Sequence, residues 1–201
     1  MKYFISDTHF YHENIIKFDQ RPFTTIEEMN ETLIQNWNEV VRPQDDVYIL
    51  GDFCWKTASS DEYKQLVRRL QGRKTLIRGN HDPKNFSADV KKHFVAIHDY
   101  LEIKENGQQF FLCHYPMPMY KSSYGENNWM FYGHVHILTK EAQYMHSLTN
   151  FLVSSHSNNT ENLGHLVNVG CMMPYMHWRP ASWEYLIEVW KQTYGGNNAI
   201  N

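Results

Sequence analysis

No apolar run in this 201-residue chain approaches the roughly 18–20 residues that cross a bilayer, so no membrane-spanning helix is expected. The opening residues, Met1-Lys2-Tyr3-Phe4-Ile5-Ser6-Asp7, lack the apolar core and small-residue cleavage site of a signal peptide. Cysteine is scarce. Cys54, Cys113 and Cys171 are odd in number, far apart, and form no Cys-x-x-Cys pair. That argues against a disulfide framework or a zinc knuckle and for a reducing cytoplasm. There is no excess of positive charge: 19 Lys and Arg against 22 Asp and Glu give a net charge of -3, and no basic run interleaves with aromatics. A nucleic-acid surface is therefore not indicated. Repeats, low-complexity tracts and linkers are absent as well. What is present is ample apolar material for a core, at 42% of residues with 15% aromatics. We expect one domain over 1–194 and a loose Gly/Asn-rich tail over 195–201. Histidine, by contrast, is plentiful at 12 residues, and its placement carries the functional reading.

The hydrophobic pattern sets the organisation. Lys2 to Ser6 reads as a buried strand running into Asp7-Thr8-His9. A helix is predicted from Ile26 to Val41, opened by the Thr25/Glu28 capping box, with Ile26, Met29, Leu33, Trp37 and Val40 on one face. Val47 to Leu50 is the next strand, closed by Gly51-Asp52. A second helix follows Ser59, with Glu62 three residues on and an apolar face of Tyr63, Leu66, Val67 and Leu70, ending before Gly72. Lys74 to Ile77 is a third strand, ending in Gly79-Asn80-His81-Asp82. This alternation favours a parallel α/β sheet. Beyond it, Tyr100–Ile103 and Gln109–Leu112 flank the hairpin signal Asn106-Gly107. Trp129–Tyr132, Leu166–Val169 and Tyr185–Val189 are further strand candidates, and 154–162, rich in Asn and Ser, reads as an exposed loop.

Five short motifs fall at the predicted C-terminal ends of strands, where open α/β sheets place their sites. They are Asp7-Thr8-His9, Gly51-Asp52, Gly79-Asn80-His81-Asp82, His114 and Gly133-His134-Val135-His136. In extended backbone, residues two apart face the same way, so Asp7 with His9 and His134 with His136 are expected to converge in pairs. Imidazole mixed with carboxylate suits manganese, iron, nickel or zinc.

This ordered set resembles the calcineurin-like metallophosphoesterase family, by motif from Ile5 to His136. The resemblance implies a four-layer α/β sandwich: two mixed β-sheets flanked by helices. It implies two divalent metal ions per chain (Mn, Fe, Ni or Zn), with Asp7, His9 and His136 on one and Asn80, His114 and His134 on the other, Asp52 bridging both. It implies hydrolysis of a phosphate ester by a metal-bridging hydroxide, with His81 as general acid and Asp82 orienting its ring. Two carboxylates, two divalent ions and one hydroxide leave a single net positive charge, suited to an anionic ester. A phosphodiester is the first expectation, including nucleotide-derived esters, because the chain is short and has no large cap. A phosphomonoesterase or nucleotide pyrophosphohydrolase is the alternative on the same site. A non-catalytic scaffold of this fold would be expected to have lost ligands or His81, and all are present. The stretch Ser-Asp-Thr-His-Phe-x-His-x-Asn-Ile resembles a small bacterial and phage subgroup. It makes His12 and Arg21 candidate substrate contacts, alongside Tyr115 and Tyr120 from the Pro-rich segment after His114.

Overall fold

The computed structural model describes residues 1–55, 57–154 and 164–194. The expected tail over 195–201, and all of the 154–162 loop but Ser154, lie outside the described residues.

Two sheets face each other. The first contains β1 (Lys2–Ile5), β2 (Asp46–Ile49), β3 (Arg73–Ile77), β4 (Ala96–His98) and β9 (Ala181–Ser182), in the order β4-β3-β2-β1-β9. All its pairings are parallel except β1 with β9. The second contains β5 (Tyr100–Glu105), β6 (Gln108–Cys113), β7 (Asn128–Tyr132) and β8 (His165–Asn168), with β5 antiparallel to β6 and the rest parallel. Both sheets are thus mixed, and with the flanking helices this is the expected α/β sandwich. Between them Phe4 meets Phe131 edge-on at 4.9 Å and Phe110 at 5.8 Å between ring centroids, all three fully buried. Aromatic contacts of this kind bury much apolar area and add directional preference.

Local chemistry accounts for the helices. In α2 (Ile26–Val40) the Thr25 side chain accepts from the Glu28 N–H, and Met29, Leu33 and Trp37 are buried. In α3 (Ser60–Arg69) Ser59 and Glu62 form the full reciprocal capping box. Short helices α1 (Glu13–Phe18) and α4 (Ala88–Lys91) follow β1 and β3. The β5–β6 turn carries Asn106 at φ 47° and Gly107 at φ 80°, the two left-handed residues that such a hairpin requires.

Two expectations are corrected. Tyr185–Val189 is not a strand; it lies inside α6 (Trp183–Tyr194). Its aromatic and β-branched content suggested extended backbone, yet buried Leu186, Ile187 and Trp190 recur at helical spacing. Ser154 is the end of α5 (Lys140–Ser154), whose Met145, Thr149 and Leu152 form a buried stripe.

The sheets are also joined by backbone at one end. Past β1, Ser6 bridges Gly170 past β8, with Ser6 N–H donating to Val169 O at 2.8 Å and Cys171 N–H to Ser6 O at 2.9 Å. The loops bearing the five motifs meet at this end.

Candidate metal centre

The loops that follow β1, β2, β3, β6 and β7 bring Asp7, His9, Asp52, Asn80, His114, His134 and His136 together. They do so in two sets. Ligand atoms of Asp7, His9 and His136 lie within 4.8 Å of one another, and those of Asp52, His114 and His134 do likewise. Asp52 Oδ2 stands between the sets, 3.7 Å from His9 Nε2 and 3.5 Å from His114 Nε2. Asn80 Oδ1 is 3.0 Å from His114 Nε2.

The convergence of Asp7 with His9 has a different cause from the one expected. Their backbones are not extended: Asp7 (φ 54°), His9 (φ 51°), Asp52 (φ 49°) and His134 (φ 67°) all adopt left-handed conformations. Such conformations are unfavourable for side chains other than glycine and persist where surrounding contacts hold them. Here the Asp7 N–H donates to Gly51 O and the His9 N–H to Asp52 O, so the β1 loop is pinned along the β2 loop. Glycine makes the close approach possible. Gly51 itself turns at φ 87°, and a Cβ there would sit 2.5 Å from His114 Nδ1. A Cβ at Gly133 would collide with Ser6 Oγ and Asp7 Oδ2.

The donor set fits cations. His9 Nε2 is buried and has no hydrogen-bond partner among the described residues, an arrangement that leaves a lone pair or proton uncompensated. His114 Nδ1 lies 2.8 Å from Leu50 O, which can only accept, so this nitrogen carries the proton. In the neutral ring Nε2 then presents a lone pair toward two further oxygens, Asn80 Oδ1 and Asp52 Oδ2. Three electron pairs converging on one point are what a metal ion resolves. His136 Nδ1 is likewise engaged, 2.6 Å from Asp19 Oδ1, which aims Nε2 at Asp7 Oδ1, 3.5 Å away.

Without cations the electrostatics are divided. Burial would raise the Asp7 carboxyl, but the hydrogen bond from His136 and the nearby imidazoles hold it below the usual carboxylate range. Burial and the charge of Asp7 raise Asp52, against the pull of His114. For His136, burial disfavours the imidazolium, but Asp19 and Asp7 outweigh it and push the ring up to about 10. Burial depresses His9 and His134.

Several sequence-derived candidates take other positions. Arg21 is not available to substrate. Its side chain is fully buried, paired with Asp19 at 2.9 Å, and donates to Thr8 O at 2.9 Å and Asp7 O at 2.8 Å. Tyr120 is also withdrawn: it is 7% exposed, packed on Phe111, with its hydroxyl donating to Asn128 O. Asp82 does not touch the His81 ring. Its oxygens accept from the backbone N–H groups of Asp52, Phe53 and Gly79, so it ties the second and third motif loops together. Adjacent side chains diverge here, which separates the two roles. His12 reaches the site, with Nδ1 3.3 Å from His9 Nδ1. Tyr115 does as well, edge-on to His134 at 4.7 Å and His114 at 5.1 Å. The half-exposed His81 ring points inward, with Nε2 3.9 Å from Asp52 Oδ2.

Two residues escaped the sequence. Asp19 stands behind His136, 117 positions away, and no spacing signals it. Trp55, three residues after Asp52, stacks on His12 at 3.6 Å; its only signal was an aromatic beside a motif.

Known proteins resemble this chain in sequence and in fold. The chain is 42% identical over 134 residues to an uncharacterized protein of Methanocaldococcus jannaschii, covering 67% of this chain and 68% of that one. It is 35% identical over 97 residues to the Gene 66 protein of Mycobacterium phage L5, covering 45% and 44%. Among solved structures, a protein of unknown function from Aquifex aeolicus superposes with a TM-score of 0.67 at 28% identity, covering 94% of this chain and 98% of that one. Residues 1–186 match the calcineurin-like phosphoesterase superfamily domain, and the chain belongs to that superfamily.

Proposed function

We propose that this chain is a dinuclear metal-dependent phosphoesterase whose preferred substrates are phosphodiesters. The observation that carries the reading is the position of Asp52 Oδ2 between the two Asp/His sets, within 3.7 Å of a histidine nitrogen from each. In this reading Asp7, His9 and His136 would hold one divalent ion, Asn80, His114 and His134 the other, and Asp52 would serve both. Such ions would supply an acidified water and offset charge developing on the phosphoryl oxygens. The chain supplies the rest. The N–H of His134 donates to both oxygens of Asp7, and the N–H of His81 donates to Asp52 Oδ1. Those bonds fix the lone pairs that face the ions. His81, 35% exposed at its side chain and outside both sets, gives the proton on Nε2 to the departing oxygen. Manganese, iron, nickel and zinc all suit the nitrogen–oxygen donors. Three free thiols, two of them buried, fit a reducing cytoplasm. Among the described residues no helix is long and apolar enough to cross a membrane.

Elemental analysis of protein purified with manganese tests the dinuclear reading. Two ions per chain are expected, and a folded sample that never exceeds one refutes it. His81→Ala should keep both ions yet lose about 10²–10⁴-fold in turnover on alkyl esters, and far less on p-nitrophenyl esters, whose leaving group departs without a proton. Equal losses on both would remove His81 from proton transfer.

A further inference from the structure

Two aromatic side chains flank the metal centre at different sets, and neither is explained by metal binding. On the first, the indole of Trp55 stacks on His12 with ring centroids 3.6 Å apart and planes 10° from parallel, and lies 5.0 Å from the His81 ring. Its backbone is fixed: Cys54 bridges Phe10, the Trp55 N–H donates to Phe10 O, and the Ala58 N–H donates to Trp55 O. Phe18, 68% exposed, meets the same His12 ring edge-on at 6.4 Å. On the second set, Tyr115, 46% exposed, stands edge-on to His134 and His114. Pro116 and Pro118 follow it and restrict the loop that carries it.

We infer that the site has two aromatic subsites, one for each organic substituent of a phosphodiester. Trp55 receives the leaving group, and Tyr115 receives the group retained on phosphorus. The inference rests on the diesterase reading above and adds the identity of the two substituents: planar groups, aryl or nucleobase-bearing. The chemistry assigns the sides. A water oxygen bonds phosphorus as its proton passes to solvent, and the opposite P–O bond breaks with its electron pair remaining on the leaving oxygen. The proton from His81 Nε2 goes to that oxygen. The leaving substituent therefore departs beside His81, where the indole is the adjoining aromatic face. In-line displacement holds the leaving oxygen apical and the retained ester oxygen equatorial, so the two substituents diverge and cannot share one wall. Indole and phenol rings suit such walls because they offer rigid contact area with only two rotatable bonds each.

The test compares two diesters with the same leaving group, bis(p-nitrophenyl) phosphate and methyl p-nitrophenyl phosphate, using manganese-loaded protein. Trp55→Ala should raise KM for both by about tenfold, the scale of losing one stacked ring, and Trp55→Phe should restore most of it. Tyr115→Ala should raise KM for the bis-aryl ester alone, since a methyl group has no face to stack. Metal content and melting temperature should match wild type in every variant. A Tyr115→Ala effect equal on both substrates overturns the assignment, as does a folded Trp55→Ala with unchanged KM on both. Loss of metal in Trp55→Ala would make the indole a prop for the first ligand set and overturn it as well. Wild-type protein that cleaves p-nitrophenyl phosphate but neither diester would instead refute the diesterase reading itself.

Discussion

The two Asp/His sets meet at Asp52 Oδ2 but differ in what stands behind them. Behind Asp7, His9 and His136 is a buried charged layer. Asp19 accepts from His136 and pairs with Arg21, and Arg21 in turn grips the carbonyls of Asp7 and Thr8 and lies 5.4 Å from the Trp178 ring centre. One guanidinium–carboxylate unit thereby links ligands from the first and second sheets. Behind the second set, His114 rests on the Leu50 carbonyl and His134 meets the rim residue Tyr115, while Asp82 holds the Asp52 loop through backbone N–H groups rather than through a histidine ring. His136 and His134 are each partly exposed, and Asn80, beside the second set, is exposed. The first set is braced by a charged pair, whereas the second has an amide at the solvent-facing rim. Outer partners of metal-binding histidines fix tautomer and basicity, so the two sets should respond differently to the same perturbation.

The largest effect should come from the residue that cancels the difference. Asp52→Asn removes the shared charge and should weaken both ions by more than about 100-fold, beyond the range of outer-partner substitutions. Elemental analysis after dialysis is the measurement, and retention of two ions would show that the sets are independent. Asp19→Asn should act on one side only. It should lower affinity at the first set by roughly 10–100-fold and spare the second, giving one weakened step in a calorimetric manganese titration. Equal weakening of both steps would dissolve the distinction between the sets. The smallest effect is one of pH. His136 holds its proton up to about 10 in the metal-free protein, so a cation must displace that proton at neutral pH. Affinity at the first set should rise about tenfold per pH unit as protons are withdrawn below that value. Burial depresses His134, which is already neutral there, so its ring should add no such slope at the second set. In Asp19→Asn the first slope should shrink, because the carboxylate that holds the proton has gone.

Much of this was readable beforehand, and the failures have physical reasons. Helices α2 and α3 announced themselves through Thr25/Glu28 and Ser59/Glu62, because capping is a local interaction. The five motif loops were placed from strand ends and glycines. What could not be read was anything set by tertiary contact. The left-handed backbone at Asp7, His9, Asp52 and His134 comes from loops pinned against each other, so an extended-strand argument paired Asp7 with His9 for the wrong reason and wrongly paired His134 with His136, which fall in different sets. Arg21 was a candidate through the subgroup resemblance, whereas Asp19 and two carbonyls claim it. Tyr120 was weighed as a cleft wall, but its ring packs on Phe111. Helix α6 was missed because side-chain shape outweighed spacing.

The Ser6–Gly170 bridge is the only isolated backbone link among the described residues that joins the two sheets. The ligand loops cluster at that same end, with Asp7, His9, Asp52 and Asn80 following first-sheet strands and His114, His134 and His136 following second-sheet strands. A bound ion is therefore a rivet through both layers of the sandwich. Ligand-linked stabilisation grows with the logarithm of free ligand, reaching roughly 2.7 kcal/mol at a hundredfold excess over Kd. If the sets hold ions as proposed, metal starvation should shorten the survival of the polypeptide, so that a cell's cation supply governs how much of this protein persists.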